Sequence, residues 1–383
     1  MPSNLRVSKF IFGVVFFMGF SFEIITIVLL TKKPMISRKN ALISKFIIHK
    51  VGNKFNNTKN AFSEKLVDFD EPSYDLMLPF LLRPFGSVVQ SYRFNHHANI
   101  SLNEINSYST QIFNNEEAFI DVSKHIVTHL FEQSTSAQIK TGDVLVVMFE
   151  GIEFNEITTN ALGIFKIENK VNFFQTYLEN NSYDVLVQKG ISSKKVDKGC
   201  IILNQTDTEG NIILSVDNNS YDAQYWLNQF LNIKYADDAN NHTQQYIELC
   251  KDFSTEILKT TYGAQEQNTF LAKTINFFKE NEVVNIERFK DDLFEEDKHK
   301  NLFDDYKKTF EYENNIVIKN QFDVAESVVN IEKKKIKTDI KLDTNIQIKL
   351  DIDAPDASAE YLERGYDDEK KMHYYKVFFN VES

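Results

Sequence analysis

Cysteine is nearly absent: Cys200 and Cys250 are the only two in 383 residues. That excludes a disulfide scaffold and a cysteine-rich zinc module, and two free thiols fit a reducing compartment. Six prolines and 12 glycines are too few for collagen-like or Gly/Pro low-complexity chains. No P-loop, dinucleotide fingerprint, G-x-S-x-G elbow or H-E-x-x-H motif can be placed. Positive charge is in deficit, with 43 Lys and Arg against 55 Asp and Glu, a net of -12. Affinity for nucleic acid comes mostly from cations neutralising phosphates, so any such contact must be a local patch or run through a partner protein. What the chain has in quantity is aromatic side chains, 33 Phe and 16 Tyr. With 42% hydrophobic residues, it can bury a sizeable core and is not globally disordered. Its length suggests two to three structural units.

The first 34 residues stand apart. Phe10 to Leu30 is apolar except for Glu23 and is flanked by Arg6, Lys9, Lys32 and Lys33. Its length suits a membrane-spanning helix. A cleaved signal fits less well, because no small-residue site follows Leu30. Met35 opens a stretch that reads as a natural start, so the upstream run is also readable as translation from a misassigned codon. Removing it takes the net charge from -12 to -15.

From residue 35 the periodicities predict an α+β protein: a mixed α/β N-terminal lobe (35–220), then a helical segment and a β-rich C-terminal segment (221–383). Ile43 to Val51 is a β-branched run before Gly52-Asn53 and predicts a strand ending in a turn. Pro79 predicts a short or kinked helix over 75–82. Ser101 and Glu104 have capping-box spacing and open a helix to Asn114. Phe119, Val122, Ile126, Leu130 and Phe131 mark an amphipathic helix over 115–133. Strands are expected at 143–151, 161–174, 184–188 and 200–204, with a hairpin turn at Gly210-Asn211. Helices follow at 221–233, 240–261 and 266–281. The charge-dense 287–313 reads as solvated surface helices or a helical arm. From Ile336 to Ile352 apolar and polar residues alternate, as in half-buried strands, and 374–381 closes the chain as a strand.

Few groups suggest chemistry. Lys333, Lys334, Lys335, Lys337 and Lys341 put five cations in nine residues against Asp339 alone. They are the candidate phosphate contacts, although such a run also suits a solvated strand face. Arg38 and Lys39 extend the patch if the strands are neighbours. Asp143 with Glu168 and Lys170 loosely imitates the carboxylates and lysine of a Mg²⁺-dependent nuclease. His125 and His129, one helical turn apart beyond Asp121, lack a further metal ligand of recognisable spacing. His96-His97 reads as a loop pair. Cys200 and Cys250 sit in apolar surroundings and read as structural thiols. No catalytic residue, metal, cofactor or small-molecule substrate is indicated.

Three stretches carry a resemblance: ISKFIIHKVGN (Ile43 to Asn53), KGCIIL (Lys198 to Leu203) and YDAQYWLNQFLNI (Tyr221 to Ile233). With them, the order of segments from Met35 to the end resembles the bacterial nucleoid-associated proteins of the NdpA/YejK type, in a form like those of Bacteroidetes. The resemblance implies a cytoplasmic protein found with the nucleoid, binding DNA or DNA-bound proteins, with no catalytic residues to carry over. Self-association is left open. The family lacks a hydrophobic extension, which favours a start at Met35, and membrane attachment follows only if residues 10–30 are an anchor.

Overall fold

The computed structural model describes residues 36–37, 39–88, 90–155, 157–207, 209–219 and 225–381. The hydrophobic run before Met35 lies outside them, as do Met35 and Arg38. No helix among the described residues is long and apolar enough to cross a membrane.

The fold is α+β. Its N-terminal half is an antiparallel sheet of eight strands. In chain order these are β1 (Ile36–Ser37), β2 (Leu42–Val51), β3 (Tyr92–Phe94), β4 (Gly142–Phe154), β5 (Ile157–Ile167), β8 (Lys198–Asp207), β9 (Gly210–Asp217) and β10 (Ile233–Tyr235). Spatially they run β1-β4-β5-β8-β9-β3-β10, with β2 also paired to β4. Between β5 and β8 the chain leaves the sheet as a separate hairpin, β6 (Lys170–Glu179) and β7 (Ser182–Ile191).

The central strands are apolar on consecutive residues because both faces are covered. On one face Val144, Val146, Met148, Ile164, Cys200 and Ile202 pack under α2 (Glu104–Asn114), α3 (Phe119–Glu132) and a π-helical turn, Tyr225–Phe230, that carries Trp226. On the other, Leu145, Val147, Phe149, Phe165, Ile201 and Leu203 meet α1 (Glu71–Leu82) and Phe85 just beyond it. Helix α1 runs on through Pro79 for three residues. Helix α2 is capped by Asn103, not Ser101: its side chain accepts the Asn106 N–H at 2.9 Å. The strand expected over 161–174 breaks at Glu168-Asn169, where β5 ends and the hairpin begins.

The C-terminal half is built on phenylalanine. Helices α4 (Ala239–Phe253), α5 (Lys259–Tyr262), α6 (Ala264–Glu280), α7 (Ile286–Leu293), α8 (Asp297–Asn314) and α9 (Glu326–Lys335) enclose nine buried Phe around Tyr246. The Tyr246 ring lies 5.0 Å from Phe289, 5.7 Å from Phe278 and 5.8 Å from Phe322. Residues 287–313 are therefore no free arm, since Phe289 and Phe303 are fully buried in this cluster. Most of their charges are exposed or half-buried, whereas Lys290 is buried and pairs with Asp304 at 2.9 Å. The alternating segment after Ile336 forms only a short hairpin, β13 (Asp339–Lys341) with β14 (Gln347–Lys349). Earlier in this half, β11 (Val283–Asn285) pairs with β12 (Gln321–Asp323). The short α10 (Pro355–Glu360) leads into β15 (Leu362–Asp367) and β16 (Met372–Val377).

Candidate nucleic-acid interface

The lysine run straddles a helix end. Lys333, Lys334 and Lys335 form the last turn of α9, not a strand face, while Lys337 precedes β13 and Lys341 is its last residue. A helix C-terminus favours cations, which accounts locally for the cluster. Lys333 binds Asp353, which Lys279 also reaches at 3.0 Å. The hydrogen bond to Asp353 raises the Lys333 pKa, and Asp353 is lowered in turn by Lys333 and Lys279. Lys335 pairs at 2.6 Å with Glu332, whose fully buried carboxylate also holds Lys251 of α4. Burial pushes the Glu332 pKa up, but the hydrogen bonds from Lys251 and Lys335 outweigh it and leave it lowered.

Two of the five lysines are thus engaged in internal ion pairs. Lys334, Lys337 and Lys341 are exposed and form no ion pair among the described residues. A cavity of about 550 Å³ beside them is lined by Lys333, Lys337 and Lys349 but also by Asp339 and Asp351, so it carries both signs. Lys39 is exposed in the turn before β2. Its neighbours Ile36 and Ala41 belong to the sheet core, whereas Ile336 and Ile340 belong to the C-terminal cores.

A second basic group escapes the linear sequence. Arg83, just after α1, meets Lys194 and Lys195 of the β7–β8 connection around a cavity of about 320 Å³ that no carboxylate lines. Lys195 Nζ donates to the Asn218 carbonyl at 3.1 Å, while Arg83 and Lys194 have no side-chain partner among the described residues. The Lys194-Lys195 doublet is visible in the sequence, but Arg83 reaches it only through the fold.

The nuclease-like residues do something else. Asp143 pairs with Lys170 at 2.6 Å. Glu168 accepts from the buried Lys166 at 2.8 Å and from Asn219 at 2.8 Å. Asp197 accepts the backbone N–H of Glu168 at 2.7 Å and of Asn169 at 3.0 Å, and the Asn169 amide at 2.8 Å. Burial pushes the Asp197 pKa up, yet these hydrogen bonds prevail and hold it below the usual carboxylate range. The Glu-x-Lys pattern is therefore the polar root of the β6–β7 hairpin. No group of three or more metal-ligating side chains occurs among the described residues.

Residues 47–371 match the sequence family described as nucleoid-associated protein YejK. The chain belongs to this family. No curated protein matches it. The family match begins within β2 and ends just before β16, so it takes in the sheet apart from β1 and the start of β2, the hairpin, the phenylalanine core and both basic groups. Family membership places the protein with the nucleoid.

The remaining sequence candidates have structural partners. His129 Nε2 lies 3.1 Å from the Phe230 carbonyl, and exposed His125 packs against Tyr108. His96 Nδ1 accepts the Ala98 and Asn99 N–H groups of its own loop. Cys200 and Cys250 are fully buried, and burial pushes both thiols up. The histidine with the strongest environment is one the sequence did not single out. His49 on β2 accepts the Ser63 N–H on Nδ1 at 3.0 Å, and its Nε2 lies 2.8 Å from Ser123 Oγ of α3. Burial, with Lys124 nearby, pulls its pKa down to about 4.

Proposed function

We propose that this cytoplasmic protein is non-enzymatic and meets DNA weakly, without reading bases, through a few exposed cations on an otherwise acidic surface. Membership of the nucleoid-associated family carries the reading. Two basic groups support it: Arg83 with Lys194 and Lys195 around a carboxylate-free cavity, and the exposed Lys334, Lys337 and Lys341. The first is the stronger contact, because the second has Asp339 and Asp351 beside it.

Electrostatic contacts release counterions, at a salt slope of about -0.9 per phosphate neutralised. A patch of three cations therefore contributes a slope of about -3. The test is DNA binding across a salt series for the wild type, R83E/K194E/K195E and K334E/K337E/K341E. A slope that flattens by about 3 in one variant locates the contact. Absence of binding at low salt moves the nucleoid association to a DNA-bound protein partner. Incubation with supercoiled plasmid and Mg²⁺ is expected to leave the plasmid intact. Nicking abolished by Glu168→Gln would instead establish a nuclease.

A further inference from the structure

The β6–β7 hairpin has no cover. Every residue of β6 is exposed, and on β7 only Gly190 and Ile191 at the root are partly covered. The strands pair with each other over their full length and, among the described residues, join no other sheet. The tip is Asn180-Asn181, both at positive φ, as a two-residue turn of matching twist requires. A lone two-stranded hairpin is marginal in water, yet this one is anchored by the buried network at its root.

Its two faces differ. Cross-strand pairs Phe174–Val187, Thr176–Val185 and Leu178–Tyr183 share one face. Phe174 is 78% exposed, Tyr183 77% and Leu178 61%, with Val185 and Val187 more than half exposed. The opposite face also carries apolar side chains, Val171, Phe173, Tyr177 and Leu186, but each is less than half exposed and the face is partly closed by its own contacts: Phe173 lies over Gly190, the Gln188 amide donates to Gln175, and Tyr177 reaches Asp184.

We propose that the Phe174–Leu178–Tyr183–Val185–Val187 face docks on the same face of a second copy of this chain, in a two-fold symmetric pair of stacked hairpins. This goes beyond the DNA reading and does not rest on it. Area is the first argument. Aromatic side chains carry about 150–250 Å² each, so the five apolar side chains at these exposures present on the order of 600 Å². With their polar neighbours they approach the roughly 800 Å² per partner of a standard interface. Contiguous apolar patches of that size on a monomer mark interaction sites.

Charge is the second argument. The hairpin's ionic groups cancel, Lys170 and Lys189 against Glu179 and Asp184, while the whole chain carries -12. Two copies repel through their acidic bodies but meet without repulsion at a neutral arm. A two-fold axis lets one patch serve both sides, and stacked sheets at about 10 Å spacing bury such faces well. The same neutrality argues against the DNA backbone as occupant, since ribbons that grip phosphates need excess cations.

The test weighs the full chain in solution by light scattering through a dilution series, without DNA. The expected mass is twice 44.6 kDa, falling toward the single-chain value on dilution. Phe174→Glu and Val187→Glu each halve it, with unchanged circular dichroism because neither side chain packs on the body. Gln188→Glu, on the other face, leaves the doubled mass. Leu178→Glu and Val185→Lys copies, each single alone, regain the doubled mass when mixed. A wild type of single-chain mass at every concentration overturns the proposal, as does a doubled mass that Phe174→Glu leaves intact. DNA binding lost in Phe174→Glu with no change of mass also overturns it and assigns the arm to nucleic acid.

Discussion

Two successive hairpins of this chain, similar in strand length and both rich in apolar residues, meet opposite fates. In β8–β9, Cys200, Ile201, Ile202, Leu203, Ile213 and Leu214 are buried between helices on both faces. In β6–β7, Phe174, Leu178, Tyr183, Val185 and Val187 are at least half exposed. The difference is supplied by neighbours rather than by the strands. Trp226 and α3 close one side of the sheet and α1 closes the other, while the β5–β6 turn directs the chain out beyond all of them. Apolar content therefore reports that a surface needs cover, and the tertiary structure decides whether that cover lies in the same chain.

The largest expected effect comes from uncovering β8–β9. Trp226 is fully buried, and its Nε1 donates to Ser215 Oγ of β9 at 3.1 Å. Trp226→Ala is expected to cost about 4 kcal/mol, by cavity formation and lost transfer energy, read by denaturant unfolding. Next is the root that separates the hairpins. Asp197→Ala removes the acceptor of two part-buried backbone N–H groups and of the Asn169 amide, and one of the two acceptors of the Asn219 amide. A loss of about 3 kcal/mol is expected, with greater protease sensitivity confined to residues 168–191. Because the folded Asp197 pKa is depressed, its contribution is present above the ordinary carboxylate pKa and is lost as pH falls through the folded value.

A smaller effect tests the helix that covers the sheet. His49, which ties β2 to α3, is neutral when folded, with a pKa of about 4 against an ordinary 6.5. Between those values the unfolded chain binds a proton that the folded chain does not, so stability drops as pH falls from 6.5 to 4. The drop is on the order of 2 kcal/mol and should be missing from the same titration of His49→Gln. The smallest effect belongs to the exposed hairpin. Tyr183→Ser, in protein dilute enough to be single chains, is expected to change stability by no more than about 0.5 kcal/mol.

Much of the fold is readable in the residues. The run DVLVVMF announces a strand buried on both faces, and the Phe119–Phe131 pattern announces the helix that covers it. Boundaries are less readable where a side chain two residues away supplies a better cap, as Asn103 does beyond Ser101. The charge-dense 287–313 misleads because Phe289, Phe294, Phe303 and Phe310 are spread among acids, yet all four point into one core. For the candidate interface, adjacency in sequence proves a weak guide. Lys333 and Lys335 stand in the densest basic run but bind Asp353 and Glu332. Arg83 and Lys194 are far apart in sequence and converge on one carboxylate-free cavity. Local spacing cannot show that convergence, because it depends on α1 packing beside the β7–β8 connection.

The most direct test of the claim that a second copy covers the hairpin is amide hydrogen exchange at two protein concentrations. Cover between copies predicts that Val185–Val187 and their β6 partners exchange more slowly as concentration rises, while β8–β9 is unchanged. Equal exchange of the β6–β7 amides at both concentrations would contradict it.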